Sequence, residues 1–253
     1  LIKLMVKIVM TLIPDGKKGV EDPGSPIYLD ENIISQPAAA LQLVAKEIFR
    51  MSDQVRDILK KTIELVKNEE VKSIDGLKEN GEQVERLGKC ITEYLAALFS
   101  SGSLTEQQAA QTASLMCVLS DVERMGTLSV EMAECMLERS DRKYKYTPEA
   151  MDELQKSLKV LNKMFCDSLK ALQGDDGIEP GKMMKRKDKL LDLDIKMRKA
   201  HIERVNKGKC KASLTAPFTN ILHLIDRMGN SCINLADVAE SGTSMKYFML
   251  EEK

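Results

Sequence analysis

The sequence predicts an all-α protein built from two tandem three-helix bundles, and three observations support this. Leucine, methionine and alanine supply the apolar positions, with 15 Met, no Trp and only 4% aromatic residues. That composition suits helices packed on helices better than β-sheets. Two distant segments repeat one 3,4,3,4 spacing of apolar residues, which is typical of helices that pack through a single seam. The same two segments also share sequence, which indicates internal duplication.

Composition narrows the range of functions. The 253 residues include 43% hydrophobic and 30% charged residues, enough apolar material for one large domain or two modest ones. Lys and Arg total 38 against 39 for Asp and Glu, a balance that argues against nucleic acid as a partner. No secretory signal pattern is present. The chain begins with Leu rather than Met, so we expect Leu1 to lie inside a longer protein.

The six cysteines do not follow the spacing of a metal site. They contain no C-x-x-C pair and have no histidine close by, so a zinc site of that type is not indicated. We expect buried or partly buried free thiols in a reducing compartment, and therefore a cytoplasmic domain. Their positions are 90, 117, 135, 166, 210 and 232.

The first 13 residues, LIKLMVKIVMTLI, differ from everything that follows. Ten of them are apolar, and Lys3, Lys7 and Thr11 recur along one narrow stripe. As a helix the segment spans about 20 Å, less than the roughly 30 Å hydrocarbon core of a bilayer. Two alternatives follow: a membrane-proximal helix, lying on the surface or completing a truncated span, or an ordinary helix docked on the body.

Residues 14–37 contain four Pro and three Gly and are predicted to form a linker. One three-helix repeat is expected over 38–145 and a second over 146–253. Ser103 and Glu106 are predicted to form a capping box, and Thr147 before Pro148 to begin a helix. At Pro217 a helix either begins just before the proline or kinks. The predicted helices are 38–69, 71–100, 104–141, 147–172, 180–207 and 213–241.

The third and sixth predicted helices carry the duplication. A shift of 103 residues superposes VERMGTLSVEMAE (122–134) on IDRMGNSCINLAD (225–237). Glycine inside a helix costs about 1 kcal/mol relative to Ala, so a repeated glycine suggests the close approach of another backbone. Under this shift Arg124, Met125 and Gly126 coincide with Arg227, Met228 and Gly229. The seam positions, which hold apolar or small residues, are 115, 118, 122, 125, 129, 132 and 136, and 218, 221, 225, 228, 232, 235 and 239.

A strip of oxygen-bearing side chains runs beside each seam, and we name these the first and second strips. Positions three or four apart share a helix face, so each strip offers aligned oxygen ligands of the kind divalent cations bind. A solvated acidic face is the alternative interpretation. The first strip is Glu123, Thr127, Glu131 and Glu134, and the second is Asp226, Asn230, Asn234 and Asp237. Further acids lie on the preceding helices, at Glu79, Glu82 and Glu85 and at Asp188, Asp192 and Asp194.

These motifs resemble a known family. ERMGT and DRMGN, each followed by an Ala and an acid, resemble the E-R-I-G-D…N-I-A-E signature of PhoU-like phosphate-signalling domains, which have two three-helix repeats. RKAHIERVNKGKC (198–210) and YLDENIISQPAAALQLVAKEIFRM (28–51) are similar to PhoU-like domains fused to bacterial sodium/phosphate cotransporters. The first of these segments has Arg198, His201, Arg204, Gly208 and Cys210 in matching places.

The resemblance implies a set of site residues. Glu123 and Asp226 match the first acids of the two signatures, but Thr127 and Asn230 replace the second acids. Family members hold iron or zinc clusters on these strips, and a lost carboxylate removes charge that would offset the cations. We therefore expect a divalent metal (iron, zinc or magnesium) to bind weakly or not at all at the first strip and weakly at the second. The expected ligands are Glu123, Asp226, Asn230, Asn234 and Asp237.

The two histidines are not expected to be catalytic. A histidine without a hydroxyl or thiol partner at a defined site is usually a packing residue that makes hydrogen bonds. By resemblance, His201 and Arg204 tie the fifth helix to its neighbours. His223, three residues before Asp226, either supplements the second strip or is a packing residue of this kind.

By resemblance the chain is a regulatory domain of a sodium/phosphate symporter, on the cytoplasmic side of the bacterial membrane. Expected partners are the membrane-embedded part of the same protein, another copy of the chain, or phosphate-signalling proteins. A free-standing, metal-binding PhoU-type adaptor is the main alternative, and a structural scaffold is a second. An enzyme is not expected, since a helical di-metal site needs Glu-x-x-His pairs and none occurs.

Overall fold

The computed structural model describes residues 22–67, 73–140, 145–174 and 180–241. The predicted apolar helix at 1–13 therefore lies outside the described residues. Six α-helices and no β-strand occur within the described ranges, which confirms the all-α prediction, and each predicted helix overlaps one observed helix. The helices are α1 Pro37–Lys67, α2 Asp75–Ser100, α3 Glu106–Ser140, α4 Pro148–Leu172, α5 Pro180–Asn206 and α6 Thr215–Glu240.

The six helices form two three-helix units that share one core. Helix α2 packs on α1 and α3 in the first unit, and α5 packs on α4 and α6 in the second. The units meet where α3 packs on α6 and α1 packs on α4. One continuous apolar cluster runs through all of these contacts. Within the described ranges, no helix combines the length and the apolar character needed to span a bilayer.

The predicted seams form the centre of this core. On α3 the seam residues are at most 2% exposed, and on α6 those from Phe218 to Leu235 are at most 4% exposed. The two seams touch, because Ser129 Oγ lies 3.7 Å from Met228 Sδ. Helix α1 joins them there, where Thr62 Oγ1 donates to the Ser129 carbonyl at 3.0 Å. The duplicated segments therefore pack against each other through matching faces.

The N-terminal ends of the helices confirm the predicted cap at Thr147 and contradict the one at Ser103. Thr147 caps α4, since its Oγ1 accepts from the Ala150 N–H at 3.3 Å. The capping box at Ser103 and Glu106 is wrong. Because α3 begins at Glu106, the residue before it is Thr105, and Thr105 and Gln108 make the two reciprocal bonds at 3.0 and 3.2 Å. Helix α6 begins two residues before Pro217, where a missing N–H costs nothing.

Residues 22–36 of the predicted linker lie along α1 and α2. The carboxylate of Glu47 on α1 is fully buried and accepts the N–H groups of Ile27 and Tyr28 at 2.9 and 2.7 Å. Arg50 pairs with the same carboxylate at 2.5 Å and donates to the Ser25 carbonyl at 2.7 Å. The segment is thus fixed to the first unit.

The cysteines are free thiols, and their burial differs at one position from what we expected. Cys210 and Cys232 are buried, and positions 90, 135 and 166 are half-buried. Cys117 is exposed, because it lies on α3 one residue before the seam residue Val118 and faces away from the core.

Candidate functional site

Glu123, the first residue of the first strip, borders an open cleft between α2 and α3. A Cβ added to Gly88 on α2 would lie 3.3 Å from the Glu123 carboxyl group, so the glycine leaves room for that group. Burial, and then the negative charge of Glu85, raises the pKa of Glu123. The cleft has a volume of about 670 Å³. Its lining residues are Glu82, Glu85, Arg86, Lys89, Thr92, Glu93 and Glu123.

The other members of the first strip point to different partners. The exposed Thr127 hydroxyl donates to the Glu123 carbonyl of its own helix at 3.2 Å. Glu131 pairs across the two units with Arg227 at 3.7 Å, and Glu134 pairs with Lys78 on α2 at 2.8 Å. Two of the three carboxylates of the strip, Glu131 and Glu134, are therefore taken up by separate ion pairs.

The second strip is organised by a lysine. Lys187 on α5 places its ammonium 2.5 Å from Asp226 Oδ1 and 3.1 Å from the Asp226 carbonyl oxygen. Asn230, Asn234 and Asp237 are exposed, and the Asn234 amide donates to Asp121 on α3 at 3.2 Å. A positive charge from the protein itself thus occupies the position beside the first acid.

This geometry bears on the expected metal ligands. Among the described residues, no three histidine, cysteine or carboxylate side chains lie close enough together to hold a metal ion. At the second strip the Lys187 ammonium already neutralises Asp226, so that carboxylate does not fit a clustered cation. At the first strip Glu123 lies near Glu85 in a cleft whose lining includes four glutamates, one arginine and one lysine. Metal binding stays a prediction, with Glu123 as the better-placed ligand.

The repeated glycines make room for side chains rather than for a backbone, which corrects our expectation. A Cβ on Gly126 would lie 3.3 Å from Val55 and 3.4 Å from Val84. A Cβ on Gly229 would lie 3.2 Å from Leu190 and 3.4 Å from Lys187 Nζ. Each glycine thus lets the neighbouring helices of its own unit pack against the seam. The preceding arginines differ, since Arg124 is exposed and Arg227 pairs with Glu131.

The motif at 198–210 holds the end of α5 against α4 and α6. The ring of His201 stacks on Phe218 with centroids 4.6 Å apart, and its Nε2 lies 3.1 Å from Thr215 Oγ1. Arg204 donates two bonds to Glu153 on α4, at 3.3 and 3.0 Å. Arg198 pairs with Asp194 of its own helix at 2.8 Å.

His223 and the remaining predicted acids lie on the surface. His223 is exposed on α6, as are Glu79 on α2 and Asp188 on α5. Asp192 pairs with Lys196 at 2.6 Å on the outer face of α5.

Sequence reasoning did not single out the two charged groups that shape these surfaces most. Lys187 meets Asp226 across 39 positions, and Glu47 meets Ile27 across 20. The sequence did contain a sign of the role of Lys187. The 103-residue shift aligns Lys187 with Val84, which packs beside Gly126 in the first repeat. A lysine that replaces a core valine in the second copy suggests an acid nearby.

Comparisons with known proteins agree with this architecture. Residues 48–136 match the family model of the PhoU domain. The phosphate-specific transport system accessory protein PhoU homolog 1 of Thermotoga maritima is 24% identical over 209 residues, covering 81% of this chain and 88% of that protein. The crystal structure of PhoU from Pseudomonas aeruginosa superposes with a TM-score of 0.71 at 13% identity, covering 78% of this chain and 93% of that one. Residues 48–136 are therefore similar to the PhoU domain, and the described bundle has the fold of the Pseudomonas aeruginosa PhoU structure.

Proposed function

We propose that this chain is a PhoU-type regulatory domain that controls phosphate uptake through protein–protein contacts. The match of residues 48–136 to the PhoU domain carries the proposal. The Thermotoga maritima relative is named as an accessory protein of a phosphate-specific transport system, not as an enzyme. Strips of paired surface charges on α3 and α6, such as Glu131 with Arg227, suit a regulator that docks on other proteins.

The more specific proposal is that the regulated transporter is sodium-dependent and belongs to the same polypeptide, at the cytoplasmic side of the membrane. The resemblance of 28–51 and 198–210 to domains fused to sodium/phosphate cotransporters supports this. So does the docking of residues 22–36 on α1 and α2, because a fixed entry segment can transmit movement from whatever precedes it.

Phosphate uptake in cells tests both levels of the proposal. The codons for residues 22–253 are deleted in the source bacterium, and the initial rate of radiolabelled phosphate uptake is measured with and without sodium. A changed sodium-dependent component supports the fused regulator. A change confined to the sodium-independent component supports a regulator of another transporter. Unchanged uptake in phosphate-rich and phosphate-poor medium contradicts the regulatory proposal itself. Long apolar spans in the reading frame before residue 1 distinguish a fused domain from a free-standing one.

A free-standing, metal-binding adaptor is the second candidate, and the acidic cleft around Glu123 favours it. Elemental analysis of the purified chain after dialysis tests this alternative. Stoichiometric iron or zinc that is lost on Glu123→Gln substitution supports the adaptor. Metal that stays after Glu123→Gln but is lost with Asp226→Asn indicates the second strip. A metal content well below one atom per chain contradicts a resident metal centre.

A further inference from the structure

Helix α5 exposes a row of large apolar side chains along its outer face. At about 100° per residue these positions lie within roughly 40° of one another, over a length of about 27 Å. Single exposed apolar residues are normal on protein surfaces, whereas an aligned set marks a face that binds a partner. The row, which we call the α5 row, consists of Met184, Leu191, Ile195 and Ile202, which are 52%, 52%, 45% and 57% exposed.

Helix α5 also concentrates positive charge in a chain whose formal net charge is −1. Between Pro180 and Asn206 it contains nine Lys and Arg residues against four Asp and Glu residues. Helices α2, α3 and α6 each contain more acidic than basic residues. Directly after α5 come three more exposed lysines, Lys207, Lys209 and Lys211. The α5 row therefore lies on a helix whose charge attracts anionic surfaces.

Basic side chains flank the α5 row on both sides. Arg198 lies about 40° from the centre of the row on one side, and Lys199 lies about 60° from it on the other. Lys185 and Lys196 follow on the second side, at about 100° and 120°. Long basic side chains lay their carbon stems along an apolar surface and keep the charged end in its polar boundary. An apolar row with basic margins is typical of a helix that lies in a membrane interface.

Three exposed acids lie on the same outer face, and the helix itself neutralises two of them. Lys196 pairs with Asp192 at 2.6 Å, and Lys207 pairs with Glu203 at 3.4 Å. The third acid is Asp188, which is outnumbered by the exposed lysines outside these pairs, among them Lys185, Lys189 and Lys199. The surface beside the α5 row therefore keeps a net positive charge.

We infer that the outer face of α5 binds the surface of a lipid bilayer that contains anionic lipids. The α5 row enters the boundary between headgroups and acyl chains, and the lysines beside it contact lipid phosphates. A bilayer fits this face because it offers apolar depth and negative charge along the whole length of the helix. The inference does not depend on the proposed regulatory function, since it names a lipid surface rather than a transporter or a signalling protein.

The chain contains no Trp, so a single introduced Trp reports on one position. The full chain with Ile195→Trp is mixed with vesicles of phosphatidylcholine and phosphatidylglycerol. Its emission should shift to shorter wavelength and be quenched by lipids with brominated acyl chains. Phe99→Trp is the matched control, because Phe99 is an apolar side chain of similar exposure on α2. That variant should show neither effect, and vesicles of phosphatidylcholine alone should change neither spectrum.

Cosedimentation with the same anionic vesicles tests the charges. Lys185→Gln with Lys189→Gln should lower the partition coefficient by about tenfold or more, because each basic residue near an anionic surface contributes to binding. The matched control is Lys60→Gln with Lys61→Gln, which removes the same net charge at exposed positions of α1. This control should change the partition coefficient by less than about twofold, since charges away from the surface are screened.

The apolar half of the contact is tested in the same assay. Leu191→Gln with Ile195→Gln should also lower the partition coefficient by about tenfold or more, because less apolar area is buried in the interface. Phe99→Gln is the control for loss of an exposed apolar side chain and should leave binding unchanged. Far-UV circular dichroism checks that each variant is folded, and Ile202→Trp replaces Ile195→Trp if the latter is not.

Four outcomes overturn the inference. The first is emission from the Trp on α5 that anionic vesicles leave unchanged. The second is equal quenching of Phe99→Trp, which shows contact without a preferred face. The third is vesicle binding that survives both double variants of α5, because another segment, such as residues 1–13, then carries it. The fourth is short-wavelength emission from α5 before vesicles are added that brominated lipids do not quench, since a protein surface then covers the row.

Discussion

Glu47 is a charged side chain in a fully buried position of α1, and its partners explain why it is tolerated there. Its carboxylate accepts two backbone N–H groups and pairs with the half-buried Arg50 guanidinium. A buried charge is costly unless its hydrogen-bonding capacity is used in this way. The placement of Ile27 and Tyr28 against α1 therefore depends on this carboxylate.

Replacing Glu47 by Ala should lower the free energy of unfolding by about 2–4 kcal/mol. The substitution leaves the Ile27 and Tyr28 N–H groups and the Arg50 charge without their acceptor. Urea denaturation measures the change. Glu64→Ala, at an exposed position of the same helix, is the control and should cost less than about 0.5 kcal/mol. Equal effects of the two substitutions would show that the buried contacts contribute nothing.

His201 should make stability depend on pH near neutrality. Burial, and then the positive charge of Arg204, lowers the pKa of His201, while Glu153 raises it. Because the folded pKa lies below the unfolded value of about 6.5, the unfolded chain binds more protons below that pH. The free energy of unfolding should therefore fall as the pH drops from 7.5 to 5.5. The slope from one such group is at most about 1.4 kcal/mol per pH unit.

Two histidine variants isolate this effect. His201→Gln should flatten the pH dependence of the free energy of unfolding, whatever its effect at pH 7.5. His223→Gln removes the other histidine, at an exposed position of α6, and serves as the matched control. Urea titrations at several pH values give the slopes. Identical slopes for wild type and His201→Gln would contradict the assignment. Glu123 has the opposite effect on the pH dependence of the free energy of unfolding. Its pKa is raised in the folded chain, so its contribution to stability is present at low pH and is lost as the pH rises.

At the scale of single residues, the sequence predicted local contacts and missed distant ones. Thr147 was recognisable as a cap because its partner, Ala150, is three residues away. Thr105 also fits the capping pattern with Gln108, so Ser103 and Thr105 could not be separated until the start of α3 was known. The burial of Glu47 depends on a segment 20 residues earlier, and no helical periodicity reports on that.

At the scale of helices, the equivalent glycines of α3 and α6 have unequal surroundings. The neighbours of Gly126 are Val55 and Val84, whose β-branched side chains are stiff. The neighbours of Gly229 are the ends of Leu190 and Lys187, which have more rotatable bonds and can move aside. The same substitution should therefore have different consequences in the two repeats.

Gly229→Ala should leave the protein more stable than Gly126→Ala, by about 1 kcal/mol. Both substitutions gain up to about 1 kcal/mol of helix propensity, but only at Gly229 can the neighbours give way cheaply. Thermal or urea unfolding compares the two variants. Gly76→Ala, in the first turn of α2 where a Cβ meets nothing within 4 Å, shows the effect of the substitution without crowding. A Gly126→Ala variant at least as stable as Gly229→Ala would contradict this account.

Helix α5 shows why its outer face could not be read from sequence. It contains two sets of apolar residues, one with Leu190 and Met197 and one with Leu191 and Ile195. Either set satisfies helical periodicity, so the pattern does not indicate which set is buried. Packing against α4 and α6 decides this, and it buries the first set.

At the scale of the whole molecule, the two repeats behave as one body because their third helices share a core. Met228 of α6 is fully buried and contacts Ser129 of α3. Arg227 with Glu131 and Asn234 with Asp121 bridge the same two helices at the surface. The two seams that meet here carry the same spacing of seam positions, so equivalent faces of the two copies are in contact.

Unfolding should therefore be a single transition that includes both repeats, and Met228→Ala should shift it as a whole. The cavity should lower the free energy of unfolding by about 2–5 kcal/mol. Urea unfolding followed by circular dichroism and by hydrogen exchange of α2 and α5 measures this. Met184→Ala, at an exposed methionine of α5, serves as control and should be nearly neutral. Separate transitions for α2 and α5 would show that the repeats are independent.

The hydrogen bonds to the Pro23 and Ser25 carbonyls determine which helix receives a mechanical force applied to the N-terminal segment. Arg50 donates to both carbonyls. Gln54, which lies one turn further along α1, also donates to the Pro23 carbonyl. A force applied to residues 1–21 would therefore act on the middle of α1 and not on its first turn at Pro37. Helix α1 packs against both α3 and α4, so the force then reaches both three-helix units. A force applied at the N-terminal side would thus act on both three-helix units at the same time.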